Sequence, residues 1–576
     1  MEPAALRLRY RVRVNLGFAG GTIVKAMTWR VWAAAVLAAA VCGRSAQAAE
    51  GSAGASRLQL VEATIAELQQ ALQTGLITSE QLVRMYRARI DAYDKAGPKV
   101  NAFLFVNPNA EVEARRLDAA RQPGDSRRPL YGIPVLLKDN VDTADMPTTA
   151  GSVALAGSMP PDDAFITRKL RAAGAILLGK ATLTEFANFI ALAMPTGYSS
   201  LGGFGFNPYD PRPTPKGDGR PVLQTGGSSS GPGIAVNANL VTVAVGTETS
   251  GSILSPASAN GVVGIKPTLG LISRHGILPI TADQDTAGPI ARTVTDAAIL
   301  LGVLAGYDPN DPATEACLTP GRCFGDYTPF LDKNALRGAR IAVVTPIPAS
   351  RLDLMNAAMG VLRAQGAQVR LLPRPFPAQP GSCVAYPPPA DCSTVLLYGQ
   401  KHDLNKYLAA TPGAPRHTLT EIIDFNSNYK PPMKYGQAIF LAADLLDVSP
   451  GSRDTLRYQA DRAEDLARSR GALDAVYNGP DGIRGTADDV DAILAAANFF
   501  AAAPAKAGYP SVTVPGGFLL PTAPIENPFP SGVTFSGPAF SEPQLIGLAY
   551  AFEQATHYRR PPDSTPPLTT DSVSRP

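Results

Sequence analysis

Two stretches near the start of the chain set apolar residues three and four apart behind a side chain able to cap a helix. Thr64-Ile65-Ala66-Glu67 places a threonine three residues ahead of a glutamate, with Ile65, Leu68 and Leu72 on one face. Thr78-Ser79-Glu80-Gln81 repeats the arrangement ahead of Leu82, Met85, Tyr86 and Ile90. A hydroxyl and a carboxylate or amide at this spacing satisfy each other's backbone N–H groups, so both sites predict a helix start. The pattern changes at Gly132 to Leu137, a continuous apolar run suited to a buried strand. Asp163 to Ala173 then reads as a helix closed by Gly174, and Ala175 to Leu178 as the next strand. Ala339–Val344, Leu352–Gln365 and Val369–Leu372 repeat that rhythm, and Leu240 to Val245 is strand-like. Strands alternating with helices predict an α/β fold, a central sheet covered on both faces.

Residues 225–265 break the rhythm with a high density of Gly, Ser and Thr. Asn207–Gly219 and Pro373–Pro389 read as surface loops, and the Pro/Ser/Thr-rich tail from Pro561 to Pro576 as disordered. No internal repeat or composition break divides the middle, so residues 49–560 are expected to form one catalytic domain.

The N-terminus carries an address. Met27-Thr28-Trp29-Arg30 is a positive start followed by the apolar run Val31 to Cys42, and Ala46 and Ala48 supply a small-x-small cleavage pattern. A secretory signal uses about 7–15 apolar residues and a spanning helix roughly 20, so residues 1–48 read as an extension and leader cut after Ala48. The expected location is periplasmic or secreted, with no stable membrane anchor after cleavage; a retained anchor is the alternative. Of the five cysteines, Cys42 leaves with the leader. Cys317 with Cys323 and Cys383 with Cys392 are locally spaced pairs that favour disulfides in an exported protein, with other connectivities open. The net charge of +3 comes with no basic block, so no nucleic-acid partner is expected.

Three segments carry candidate chemistry. The first, Gly132 to Asn140, ends the apolar run on Lys138-Asp139-Asn140; the second is Gly226-Gly227-Ser228-Ser229-Ser230-Gly231. The third is Gly246-Thr247-Glu248-Thr249-Ser250-Gly251-Ser252. Each alone reads as a strand end, a flexible loop or a turn. Their order and wording together resemble the amidase signature family, whose pattern runs "KDN", "GGSS" and "GT[DE]xxGS". The resemblance continues through "AAGAILLGK" at Ala172–Lys180, "NGVVGIKPT" at Asn260–Thr268, "QDTAGP" at Gln284–Pro289 and "AGYPSVTVP" at Ala507–Pro515.

That resemblance implies an amidase-signature fold with a mixed central sheet, and a Ser–Ser–Lys triad. Ser252 would be the nucleophile, Ser228, following a cis peptide bond, the proton shuttle, and Lys138 the base. The backbone N–H groups of Thr249, Ser250, Gly251 and Ser252 would be the oxyanion donors. No metal and no organic cofactor is implied. The chemistry suits the residue types: an amide is a poor electrophile, so its hydrolysis needs an activated hydroxyl, a stabilised oxyanion and a protonated leaving nitrogen. A lysine can serve as the base once burial lowers its pKa well below about 10.4.

Ser230, Pro232, Ser250 and Leu254 depart from common forms of the motifs. Leu254 stands where many members have arginine, which argues against a substrate carboxylate being held there. The wording resembles most the peptide amidase branch, as does Tyr398–Ala443, expected near the substrate mouth. The expected partner is a peptide or small organic amide. Alternatives are the glutamine-hydrolysing subunit of an amidotransferase, an aryl-acylamidase or esterase, and an inactive binding scaffold. The aspartates within Asn478–Asp491 do not follow a calcium-loop spacing and read as a solvated acidic loop.

Overall fold

A computed structural model describes residues 57–575, apart from 123–124, 126–127, 216, 373–375, 377–380, 385–391 and 432. The leader and its cleavage site lie outside the described residues, as does much of the 373–389 loop.

Both capping boxes form. Thr64 opens the helix Ile65–Gln73 and Thr78 the helix Ser79–Tyr93, each with the reciprocal side-chain and backbone bonds in place. The residues of their apolar stripes are buried. The apolar runs become strands of one eleven-stranded mixed sheet flanked by helices. Across it the order is Gln368–Leu371, Arg340–Val343, Ala492–Ala496, Phe529–Ser536, Ser511–Leu519, Val263–Lys266, Thr286–Ala291, Val243–Glu248, Pro134–Lys138, Ile176–Ala181 and Phe103–Val106.

Register in the middle of the sheet prepares the site. Pro134–Lys138 runs parallel to Val243–Glu248, with Val135 opposite Val243 and Leu137 opposite Val245. One step further along each strand brings Lys138 beside the Gly246–Thr247 end of its neighbour. Both strands are buried throughout, so their polar C-terminal residues must find partners inside the protein.

Val243–Glu248 begins three residues later than the run Leu240–Val245 suggested. Leu240 instead completes the turn after the helix Ser230–Asn237, its N–H donating to Ala235 O at 2.8 Å. At the other end, pairing with Thr286–Ala291 carries the strand through polar Thr247 and Glu248. A second apolar cluster joins Phe186, Ile190 and Met194 to helices Val395–Ala409, Leu419–Asn428 and Ala438–Asp444.

The tail corrects its expectation of disorder. Ser572–Ser574 pairs antiparallel with Arg57–Gln59, and fully buried Arg89 donates to Asp571 Oδ2 at 2.5 Å. Arg89 also donates to the carbonyls of Thr565 and Pro566 at 2.9 and 3.1 Å. A buried guanidinium needs acceptors for its donors, and the tail supplies them despite its composition. Cys317–Cys323 and Cys383–Cys392 are disulfide-bonded. In the acidic loop, Asp489 is buried and accepts from Gly485 N–H at 2.7 Å, while Asp491 is paired with Arg340. These two carboxylates are therefore turned inward rather than solvated.

Candidate active site

Lys138 ends its strand with no solvent exposure. Its Nζ lies 2.7 Å from Ser228 Oγ, 2.8 Å from Thr247 Oγ1 and 3.3 Å from Thr247 O. Among the described residues no carboxylate reaches it within ion-pair distance. Burial drives its pKa down from 10.5 to about 7, although the charges of Asp285 and Glu248 pull the other way. A neutral amine has two N–H bonds and one lone pair. With Thr247 Oγ1 and O accepting the two N–H groups, the lone pair is left to the Ser228 hydroxyl.

Ser228 follows a cis peptide bond from Gly227 and is fully buried at the threshold of the helix Ser230–Asn237. Its neighbour Ser229 ties the glycine-rich segment to the third motif. Ser229 N–H donates to Ser252 O at 3.1 Å and its Oγ donates to Thr247 O at 3.0 Å. The segments carrying Lys138, Ser228 and Ser252 are thus drawn together by backbone and side-chain bonds. Ser252 itself is 8% exposed, so it sits nearest solvent of the three. Its hydroxyl makes no hydrogen bond with the described residues.

Gly251 corrects one expectation. Its N–H is already taken, donating to Glu248 Oε1 at 2.7 Å. Glu248 Oε2 also accepts the N–H groups of Ile253 and Leu254, at 2.8 and 3.1 Å. The carboxylate clasps the turn from its own base, and Gly251, at φ +86°, supplies the left-handed residue the turn requires. The amides of Thr249, Ser250 and Ser252 have no acceptor among the described residues.

Several residues inside the motifs have parts that spacing alone did not assign. Asn140 Nδ2 donates to Thr247 Oγ1 at 3.1 Å and to Leu278 O at 3.2 Å. Asp139 Oδ2 accepts from the N–H groups of Thr149 and Gly151. The two residues after Lys138 therefore hold the walls around it. Asp285, raised to about 6 by burial against the opposing pull of its hydrogen bonds, accepts from Thr249 Oγ1 at 2.5 Å. Their position within the motifs was the only available signal, because the contacts arise from register between distant strands.

The Amidase family model matches residues 81–410. A probable amidase of Arabidopsis thaliana is 37% identical over 527 residues, covering 89% of this chain and 94% of its own. The A-type subunit of glutamyl-tRNA(Gln) amidotransferase from Rhodopirellula baltica is 31% identical over 530 residues, with coverages of 87% and 98%. Among solved structures, the native peptide amidase of Stenotrophomonas maltophilia matches with a TM-score of 0.76 and 40% identity, covering 88% of this chain and 99% of that one. The chain belongs to the amidase (amidase signature) family, and it is an enzyme that hydrolyses the carbon–nitrogen bond of amides.

Proposed function

We propose that this protein is an exported amidase that converts carboxamides, C-terminal peptide amides foremost, to carboxylic acid and ammonia through a Ser252 acyl-enzyme. The observation that carries the reading is the contact between Ser228 Oγ and a buried Lys138 amine whose pKa is about 7.

Ser252 Oγ adds to the carboxamide carbon while its proton passes to Ser228, and the Ser228 proton passes to Lys138 Nζ. The oxyanion is met by the amides of Thr249, Ser250 and Ser252. Return of the proton through Ser228 to the nitrogen breaks the carbon–nitrogen bond and releases ammonia. Water then adds to the ester by the same relay and frees the acid and Ser252.

The peptide-amide preference is supported by the 40% identity to a peptide amidase and by the "QDTAGP" segment at Gln284–Pro289. Export is supported by the leader-like N-terminus and by two disulfides, which persist in oxidising compartments. The test is ammonia release from amidated peptides, glutamine and aryl amides measured side by side. Turnover of glutamine in preference to peptide amides would replace this reading with that of an amidotransferase component. Export is checked by expressing the chain in a secretion-competent host and sequencing the product, expected to begin at Ala49.

A further inference from the structure

Asn140 connects a backbone carbonyl to the base of the relay. Its Nδ2 donates to Leu278 O at 3.2 Å and to Thr247 Oγ1 at 3.1 Å, and Leu278 N–H returns a bond to Asn140 O at 2.8 Å. A carbonyl oxygen accepts and never donates, so the contact with Leu278 O fixes which end of the Asn140 carboxamide is nitrogen. Asn140 Oδ1 is thereby turned toward the Thr247 hydroxyl, at 3.4 Å. Lys138, Asn140 and Thr247 are all buried, so their hydrogen-bond partners are the ones inside the protein.

A hydroxyl has one proton and two lone pairs. Thr247 Oγ1 receives one N–H from Asn140 and another from Lys138 Nζ, the latter at 2.8 Å. Both lone pairs are then filled, and the Thr247 proton goes to Asn140 Oδ1. The opposite orientation would aim that proton at Lys138. It would fill the lone pair of the neutral amine and leave an N–H bond facing Ser228 Oγ, 2.7 Å away. Lys138 would then donate to Ser228 and could not take its proton.

We infer that Asn140, acting through Thr247, sets the direction of the relay. The fixed carboxamide holds the threonine proton away from Lys138, and the amine's lone pair is left for the Ser228 hydroxyl. The protonated base is served by the same groups: Ser228 Oγ, Thr247 Oγ1 and Thr247 O, the last at 3.3 Å, accept its three N–H bonds. Lys138 therefore takes and returns a proton without any side chain having to turn. The inference rests on the proposed Ser252–Ser228–Lys138 relay and deepens it by naming what orients its base. Asn140 and Thr247 are positioning residues.

The test uses the amidated peptide, glutamine or aryl amide that the wild type turns over fastest. Ammonia release gives kcat, KM and a pH–rate profile for the wild type, Asn140→Leu, Thr247→Val, Thr247→Ser and the Asn140→Leu/Thr247→Val double variant. Asn140→Leu frees the Thr247 proton to occupy Lys138 and is expected to lower kcat roughly tenfold with KM unchanged. A hydrogen bond onto the lone pair favours the neutral amine, so the acid limb of the profile should move to lower pH. Thr247→Val removes an acceptor that serves the ammonium and should lower kcat and move the limb the same way; Thr247→Ser should restore both. Asp285 and Glu248, the charged groups that act on Lys138, are untouched in every variant. Because Asn140 acts through the Thr247 hydroxyl, the double variant should lose no more than Thr247→Val alone.

An unmoved acid limb in Asn140→Leu, or kcat losses that multiply in the double variant, would overturn the inference while leaving the relay intact. If Asn140→Leu does not fold, Thr247→Val decides: a wild-type kcat and limb would overturn the inference, and a loss rescued by Thr247→Ser would support it. Absence of ammonia from every amide with the wild type would remove the relay reading, and this inference with it.

Discussion

Lys138 Nζ and Ser228 Oγ are 2.7 Å apart in a position shielded from solvent, 90 residues apart in sequence. A protonated amine there would lack a carboxylate partner, and burial accordingly brings its pKa to about 7. The group is thereby matched to accept a proton near neutrality.

The first expectation follows from that value. A base must be unprotonated, so kcat/KM should climb about tenfold per pH unit below 7 and level off above it. A pH–rate profile from 5 to 9 under chemistry-limited conditions checks this; a flat profile contradicts the assignment of Lys138. The same depression has a sign in stability. Between about pH 7 and 10.5 the unfolded chain holds a proton the native site has lost, so the contribution of Lys138 to stability rises with pH across that window. Lys138→Met should therefore raise Tm more at pH 7 than at pH 10.

Ser252→Ala should lower kcat by at least roughly 10³-fold, because no other nucleophile completes the relay. Its circular dichroism and Tm should match the wild type, since the hydroxyl makes no hydrogen bond within the described residues. Activity near the wild-type level would end the acyl-enzyme reading.

Glu248→Gln keeps the shape of the side chain but makes one of its two oxygens a donor. At least one of the Gly251, Ile253 and Leu254 amides then faces an NH₂ group instead of an acceptor. The expected cost is about 1–3 kcal/mol of stability by urea unfolding. It should also lower kcat with little change in KM, because the turn that presents Ser252 loosens. An unaltered kcat would show that the clasp serves folding alone.

Asp571→Ala strips the carboxylate from Arg89, leaving a buried cation with neutral acceptors only. Breaking a buried pair in this way costs about 3–5 kcal/mol. Thermal unfolding should show a marked fall in Tm, with kcat at low temperature unchanged. An undisturbed Tm would mean that the tail is not anchored through this pair.

The sequence is informative where structure is local. The boxes at Thr64 and Thr78 involve residues three apart, and the disulfides join cysteines six and nine positions apart. Both can be read without knowing the fold. Lys138 and Ser228 stand out only through motif order, since nothing local brings a strand end to a glycine-rich loop. The roles of Thr247, Glu248 and Asn140 depend on strand register, which sequence spacing does not state. The tail misleads for the same reason: its composition argues disorder, while its partner Arg89 lies 482 residues away. Gly251 belongs with the oxyanion donors by motif resemblance alone; in the folded chain its amide is engaged by the carboxylate three residues earlier.

The anchoring of residues 565–574 sets an order on biosynthesis. Arg89 precedes three of its acceptors by 476, 477 and 482 residues. Until residues 565–571 have emerged, the helix Ser79–Tyr93 holds a cation that cannot be buried without large cost. Completion of the core around Arg89 therefore waits for residues 565–571, and a nascent chain, or one cut before them, stays open at its Arg89 edge, exposed to proteases or chaperones.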